Sequence, residues 1–292
     1  MVEKSVNRHI IEVAKARVLI ENGVIHVLSQ PRVSECPVHR VLSGRTDVTV
    51  EQVRHAVERM INEHGMFTKD RVVETFEELV PFGASEMLMS GLRHGLIDCV
   101  VTACDCAGTI VTTKPEVVQG IGKKMTGLIE TSPVEEVIEK LERKGTVVID
   151  TENAVIDQVE GVKQASELGY KRIAVTVTGM EAGSFKALRN IEVEHKIKLW
   201  VLAVHNSGID AVKAKLLAEG ADLVWACASK AVRVIVGPKA LLQIGIQIPV
   251  FALTEQGKEL ILTRMKDLKQ QLLVTHERLP KIIKGKHPNP LT

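Results

Sequence analysis

A chain of 292 residues, 45% hydrophobic and 25% charged, is long enough to bury one large core or two smaller ones. A formal net charge of +2 argues against a strong polyanion binder, and 3% aromatic residues leave no stacking surface for single-stranded nucleic acid. Five cysteines, odd in number and irregularly spaced, do not make a secreted disulfide framework.

Residues 1–17 mix charge throughout, and no apolar run reaches the roughly 18 residues of a membrane span. The expectation is a cytoplasmic protein without leader or membrane anchor. Residues 17–29 are two β-branched runs around Glu21-Asn22-Gly23, a strong hairpin signal. A polar loop, Glu35-Cys36-Pro37-Val38-His39-Arg40, then places a thiol and an imidazole three apart. Thr49 caps a helix in which Val53, Val57, Met60 and Ile61 recur at helical spacing, ended by His64-Gly65. Thr68 caps a second, with Val72, Val73, Phe76 and Leu79 on its apolar face and Pro81 stopping it. Ser85 caps a third, closed by Gly95.

The stretch 96–122 is the centre of the reading. Residues 96–103 form an apolar strand, residues 109–113 a second β-branched run, and Pro115 opens a helix ending near Gly120 and Gly122. Thr131-Ser132-Pro133-Val134-Glu135-Glu136 opens the next helix, which runs to Gly145. From Thr146 the pattern is regular. Strands at 147–149, 173–177, 199–204, 223–226 and 249–253 alternate with helices at 157–168, 181–194, 208–219, 230–244 and 255–272. This predicts an α/β fold: a mainly parallel, doubly wound, Rossmann-like sheet of five or six strands. Residues 1–95 form an N-terminal hairpin and helical region covering its edge or rim, 96–265 the α/β domain, and 266–292 a helix end and a basic, frayed tail.

The residues leaving each strand are Cys104-Asp105, Asp150-Thr151-Glu152, Thr178-Gly179, His205-Asn206-Ser207, Cys227-Ala228-Ser229-Lys230 and Thr254-Glu255. In a doubly wound sheet these share one edge. Helix capping accounts for Asp150, Thr178 and Thr254, but not for Cys104, His205, Cys227 or Lys230. Three uses remain open. Cys36, Cys104, Cys227 and Cys106 could ligate a metal or an iron–sulfur cluster, although no CxxC pair exists. Thr178, Gly179, Ser229 and Gly122 could hold a small anionic ligand or cofactor at tight turns. Cys227 or Cys104 could be a nucleophile, with His205 as base and Asp105 beside it. Lys230 and a helix start would then lower the Cys227 pKa.

Three stretches carry a family resemblance. They are Ser85-Glu86-Met87-Leu88-Met89 through Gly95-Leu96-Ile97-Asp98, Val118-Gln119-Gly120-Ile121-Gly122 through Thr131-Ser132-Pro133, and Ile156-Asp157-Gln158-Val159-Glu160-Gly161-Val162-Lys163 through Ala226-Cys227-Ala228-Ser229-Lys230. Together they resemble the methanogenesis marker protein 8 family over most of residues 10–265. That resemblance implies a setting in methane-forming or related anaerobic one-carbon metabolism, and no particular reaction. Residues 88–141 are similar to the β subunits of deazaflavin-reducing hydrogenases, which use a flavin and an iron–sulfur centre. Gly122-Lys123-Lys124 matches that family's glycine–serine–lysine element in part, and its CxxC runs are absent. Only the fold hint carries over, and flavin ranks below a thiolate-bound metal. The partner implied is a small molecule or protein of one-carbon metabolism, with a homo-oligomer left open.

Overall fold

The computed structural model describes residues 7–37, 39, 40, 44–283 and 285–292. Residues 1–6, on which the leader expectation partly rests, and Val38 of the Cys36 loop lie outside these.

Charge hides the first strand. In β1 (Arg8–Val13) the half-buried Arg8 and Glu12 bracket the buried His9, Ile10 and Ile11, so the segment does not read as an apolar run. It pairs antiparallel with β2 (Ala16–Glu21) on one side and β6 (Gly127–Thr131) on the other, and β2 pairs with β3 (Val24–Val27). The expected Asn22-Gly23 hairpin is β2–β3, and both turn residues hold positive φ, 50° and 81°. The helix α1 (Val50–His64), capped by the Thr49 hydroxyl accepting from Gln52 N–H, lays Val53, Ala56, Val57 and Met60 on this four-stranded sheet.

The large sheet has eight strands in the order β11-β12-β10-β9-β8-β4-β5-β7. Its parallel centre is β4 (Cys99–Cys104), β8 (Arg172–Thr178), β9 (Lys198–Val204) and β10 (Leu223–Trp225). The flanks are antiparallel: β5 (Gly108–Thr112) and β7 (Val147–Val148) on one side, β12 (Val250–Ala252) and β11 (Leu242–Ile244) on the other. The sheet is therefore mixed, not the mainly parallel one expected. The reason is short-range: Cys104 pairs with Gly108 across three residues, and only an antiparallel hairpin closes so short a connection.

Along β9, Leu199, Val201 and Ala203 face one core while Trp200 and Leu202 face the other. Both sheet faces are covered, which is why these strands read as unbroken apolar runs. On one face lie α5 (Gln158–Glu167), α6 (Ser184–Glu194) and α7 (Ala211–Gly220). On the other lie α2 (Ala84–Arg93) and α8 (Glu255–Met265), while α3 (Pro115–Gly122) and α4 (Glu135–Arg143) pack on β5 and β7.

One expected helix is absent, and another is helical only over residues 230–239, in distorted form. Residues 71–78 are extended, with their backbone donors committed elsewhere: Val72 N–H to His64 O and Thr75 N–H to Glu116 O. Residues 230–244 contain Gly237-Pro238 and break into a π-turn at Val232–Val236, a short 3-10 turn and the strand β11. The α2 helix starts at Ala84, with Gly83 rather than Ser85 in the cap position, and α4 starts at Glu135 without a side-chain cap. The tail is anchored at its end: Asn289 exchanges backbone hydrogen bonds with Glu35, and Thr292 with Ala228 and Lys230.

Gly120 shows how closely the extended segment is packed. A Cβ there would lie 2.5 Å from backbone atoms of Val73 and Glu74, which cannot swing aside. Gly120→Ala is expected to lower the unfolding free energy by about 1–3 kcal/mol. Urea denaturation checks it, and a loss below half that range would mean α3 shifts freely.

Candidate functional site

Continuing the strand register, Cys104, Thr178, Val204 and Trp225 form one row across the parallel strands, and the Thr102–Thr176 hydroxyl contact of 2.7 Å lies two residues before it. Three inter-strand steps of about 4.8 Å separate the ends of β4 and β10 by about 14 Å. The cysteines thus fall into two neighbourhoods, and one cluster cannot hold Cys104, Cys106 and Cys227 together. Among the described residues no group of three or more His, Cys, Asp or Glu is arranged to hold a metal ion.

The first neighbourhood is Cys104-Asp105-Cys106, fully buried in the β4–β5 turn. Asp105 accepts from Arg71 Nε at 2.9 Å and from Phe67 N–H at 2.8 Å. The remaining Arg71 donors reach the carbonyls of Val72, Gly120 and Ile121. Burial, with Asp105 beside both sulfurs, pushes the Cys104 and Cys106 thiols well up. This group is satisfied within itself and ties the extended segment to the β4–β5 turn. Gly122 likewise brings helices together, since a Cβ there would meet Ser85 Cβ at 2.6 Å.

The second neighbourhood is the rim where β9 and β10 end. His205 and Cys227 both hold left-handed backbone, φ 52° and 45°, which is uncommon outside glycine and costs about 1–3 kcal/mol. The turns aim the backbone N–H groups of Asn206 and His205 at the Cys227 sulfur, where they pull its pKa down. Arg233, 2% exposed, comes back from the π-turn and donates Nη1 to Ala226 O and Ser229 O. Its Nε has no hydrogen-bond partner. No carboxylate pairs with it among the described residues, and the ionisable group that meets its charge is the Cys227 thiol. A guanidinium stays protonated in proteins, so the rim carries a buried positive charge awaiting an anion.

Burial nonetheless pushes the resting Cys227 thiol up to about 11 and His205 down to about 4. The thiolate expected at rest is therefore not the form this packing favours. Lys230 is exposed and contributes its backbone N–H to Thr292 O. The cation near Cys227 is Arg233, which sequence reading missed because it lay inside an expected helix. His205 acts on the sulfur through its backbone N–H, and its imidazole is not the contact found. Cys36 is close enough to Cys227 to raise its pKa.

The turns expected to hold a small anionic ligand have other occupations. Thr178 Oγ1 accepts from Met180 N–H. A Cβ at Gly179 would come within 2.1 Å of Asn206 Oδ1, so this glycine makes room for a buried carboxamide. That carboxamide joins β9 to β10 by donating to Ala203 O and Trp225 O. Ser229 Oγ accepts from Val232 N–H and holds the π-turn.

Over the rim lie pieces of both chain ends. The β1–β2 turn, Ala14-Lys15, has φ of 51° and 68°, and places the Lys15 stem against Gly208 in the loop after β9. Ala14 O accepts from Arg32 and Val33 N–H, Ser34 and Glu35 N–H donate to Asn289 O, and Thr292 closes on Ala228. Residues 285–292 thus form a strap between the loop carrying Cys36 and the loop carrying Cys227.

No helix among the described residues is long and apolar enough to cross a membrane. The chain is 45% identical over 287 residues to the "Uncharacterized protein MJ0054" of Methanocaldococcus jannaschii, with 98% of this chain and 99% of the relative aligned. Residues 9–266 match the family described as "Uncharacterized protein conserved in archaea (DUF2099)", and the chain belongs to that family.

Proposed function

We propose that this is a cysteine-dependent protein of anaerobic one-carbon metabolism, with Cys227 as its reactive thiol. One observation carries the reading: Arg233, buried without a carboxylate, stands beside Cys227 together with two backbone N–H groups. Such a nest has the charge and donors to stabilise a thiolate, or an anion formed on the sulfur. In the resting site desolvation outweighs it. A ligand that displaces the strap hydrates the sulfur and relieves the burial that keeps the thiol neutral, so the nest then decides its protonation.

The metabolic setting rests on the resemblance to methanogenesis marker protein 8. The iron–sulfur reading loses support because the rim gathers two cysteines, short of the three or four thiolates such a cluster uses. A metal-free site for a small anion remains the second reading, favoured by the unpaired Arg233 Nε.

The test is the pH dependence of iodoacetamide alkylation at Cys227, followed by peptide mass spectrometry. The expected midpoint is about 11. It should rise further in Arg233→Met and return toward the native value in Arg233→Lys. If Cys227 stays unmodified until the protein unfolds, or if Arg233→Met leaves the midpoint in place, the thiol is a core residue.

A further inference from the structure

We propose that Cys36 is the resolving thiol for Cys227, so that the site works by thiol–disulfide exchange through a reversible Cys36–Cys227 bond. The inference rests on the reading of Cys227 as the reactive thiol and names the reaction class that follows from it. Three observations carry it. Of the five cysteines, Cys99, Cys104 and Cys106 are buried, while Cys36 and Cys227 both reach the surface. Cys36 is also near enough to Cys227 for its charge to raise the Cys227 pKa. They also sit at the two ends of one tether, because Asn289 is hydrogen-bonded to Glu35, next to Cys36, and Thr292 to Ala228, next to Cys227. Only two residues of strap, Pro290 and Leu291, separate those anchors, a reach of about 10 Å when extended. Both loops are already held over the same rim.

The chemistry closes with a small disulfide, R–S–S–R, as oxidant. The Cys227 thiolate attacks one sulfur, the S–S bond breaks, and R–S⁻ leaves and takes up the proton given up by Cys227. A mixed disulfide remains on Cys227. The Cys36 thiolate attacks its protein sulfur and expels the second R–S⁻, which takes the Cys36 proton. Two thiols are oxidised to one disulfide and one small disulfide is reduced to two thiols. Run in reverse, a small thiol restores the pair. Arg233 and the N–H groups of His205 and Asn206 stabilise the Cys227 sulfur when it is the attacking or leaving thiolate, which suits it to the outer role. Cys36, on a separate loop, is placed to resolve.

Full-length protein is equilibrated with glutathione redox buffers, quenched with acid, alkylated in denaturant and digested. On oxidation the number of alkylatable thiols is expected to fall by two, with a cross-linked peptide joining Cys36 and Cys227. Cys36→Ser and Cys227→Ser abolish the cross-link, and Cys36→Ser accumulates a glutathione adduct on Cys227 that the native chain does not retain. A native chain that carries stable adducts without the cross-link, or that links Cys227 to any other cysteine, overturns the inference while leaving Cys227 a reactive thiol. A chain in which Cys227 neither cross-links nor takes glutathione in any variant overturns the underlying reading as well.

Discussion

Asp105→Asn is expected to destabilise the protein by about 3–5 kcal/mol, the cost of removing one partner from a buried ion pair. Asp105 is fully buried and Arg71 is 2% exposed, so neither charge is screened by water. In the native chain the two carboxylate oxygens serve different donors, Arg71 Nε and Phe67 N–H. An asparagine keeps the shape but offers one oxygen, so its NH2 must face one of those donors. The Arg71 charge then remains inside without compensation, since its other contacts are to the carbonyls of Val72, Gly120 and Ile121. The measurement is urea unfolding, read as a fall in the midpoint at constant m-value. A second readout comes from Cys104 and Cys106, which should become alkylatable under native conditions as the β4–β5 turn opens. A loss below about 1 kcal/mol would mean that water reaches Arg71 and that this group is not the tie described above.

Features set by neighbouring residues were legible in the sequence. The Asn22-Gly23 hairpin, the Thr49 and Thr254 caps, and the apolar strands β8 and β9 all follow from local chemistry. What failed depended on distant partners. The 71–78 segment has helical spacing, but Arg71 is drawn to Asp105 and the backbone follows. The sign of β4 against β5 was readable from the three-residue gap between Cys104 and Gly108, and the alternating rhythm downstream masked it. At the rim, the strand-end rule pointed to His205 and Cys227. It gave no access to Arg233, because the π-turn that returns this side chain to Ala226 O is set by packing and by Gly237-Pro238 rather than by periodicity. Cys36 comes from a loop some 190 residues away in sequence, and a single sequence holds no signal for such a meeting.

The loss of stability on mild acidification should be steep, and His9 should account for much of it. His9 lies in a chain of donors with a fixed direction. Cys106 N–H donates to Thr131 Oγ1 at 2.8 Å, the Thr131 hydroxyl meets His9 Nδ1 at 2.7 Å, and His9 Nε2 meets Asn7 Oδ1 at 2.5 Å. Asn7 Nδ2 donates to Phe67 O, so its Oδ1 faces Nε2 and can only accept; in the neutral imidazole the proton is therefore on Nε2, and Nδ1 accepts from the Thr131 hydroxyl. A second proton on Nδ1 would face that hydroxyl and break the chain. Burial holds the His9 pKa down to about 4, against the opposing pull of Asp105 and the Phe67 carbonyl. The unfolded chain takes up this proton near pH 6.5 and the folded one near 4, so the neutral imidazole's contribution is complete above 6.5 and is lost as pH falls through 4. A shift of that size corresponds to about 3 kcal/mol. His205 is also pushed down to about 4, and burial lowers His39 and His64, so all four histidines add to the slope with the same sign. Carboxylates held low by salt bridges, such as Glu63 at about 2, add to the fall only below about pH 5, where the unfolded chain begins to protonate them, and leave the range from 7 to 5 to the histidines. Urea midpoints measured from pH 7 to 4 should therefore fall steadily. In His9→Gln the starting stability is lower, and the slope over the same window should be shallower by the His9 share. An unchanged slope would show that His9 takes up its second proton at the same pH in the folded and unfolded chain, and that its burial does not keep the imidazole neutral.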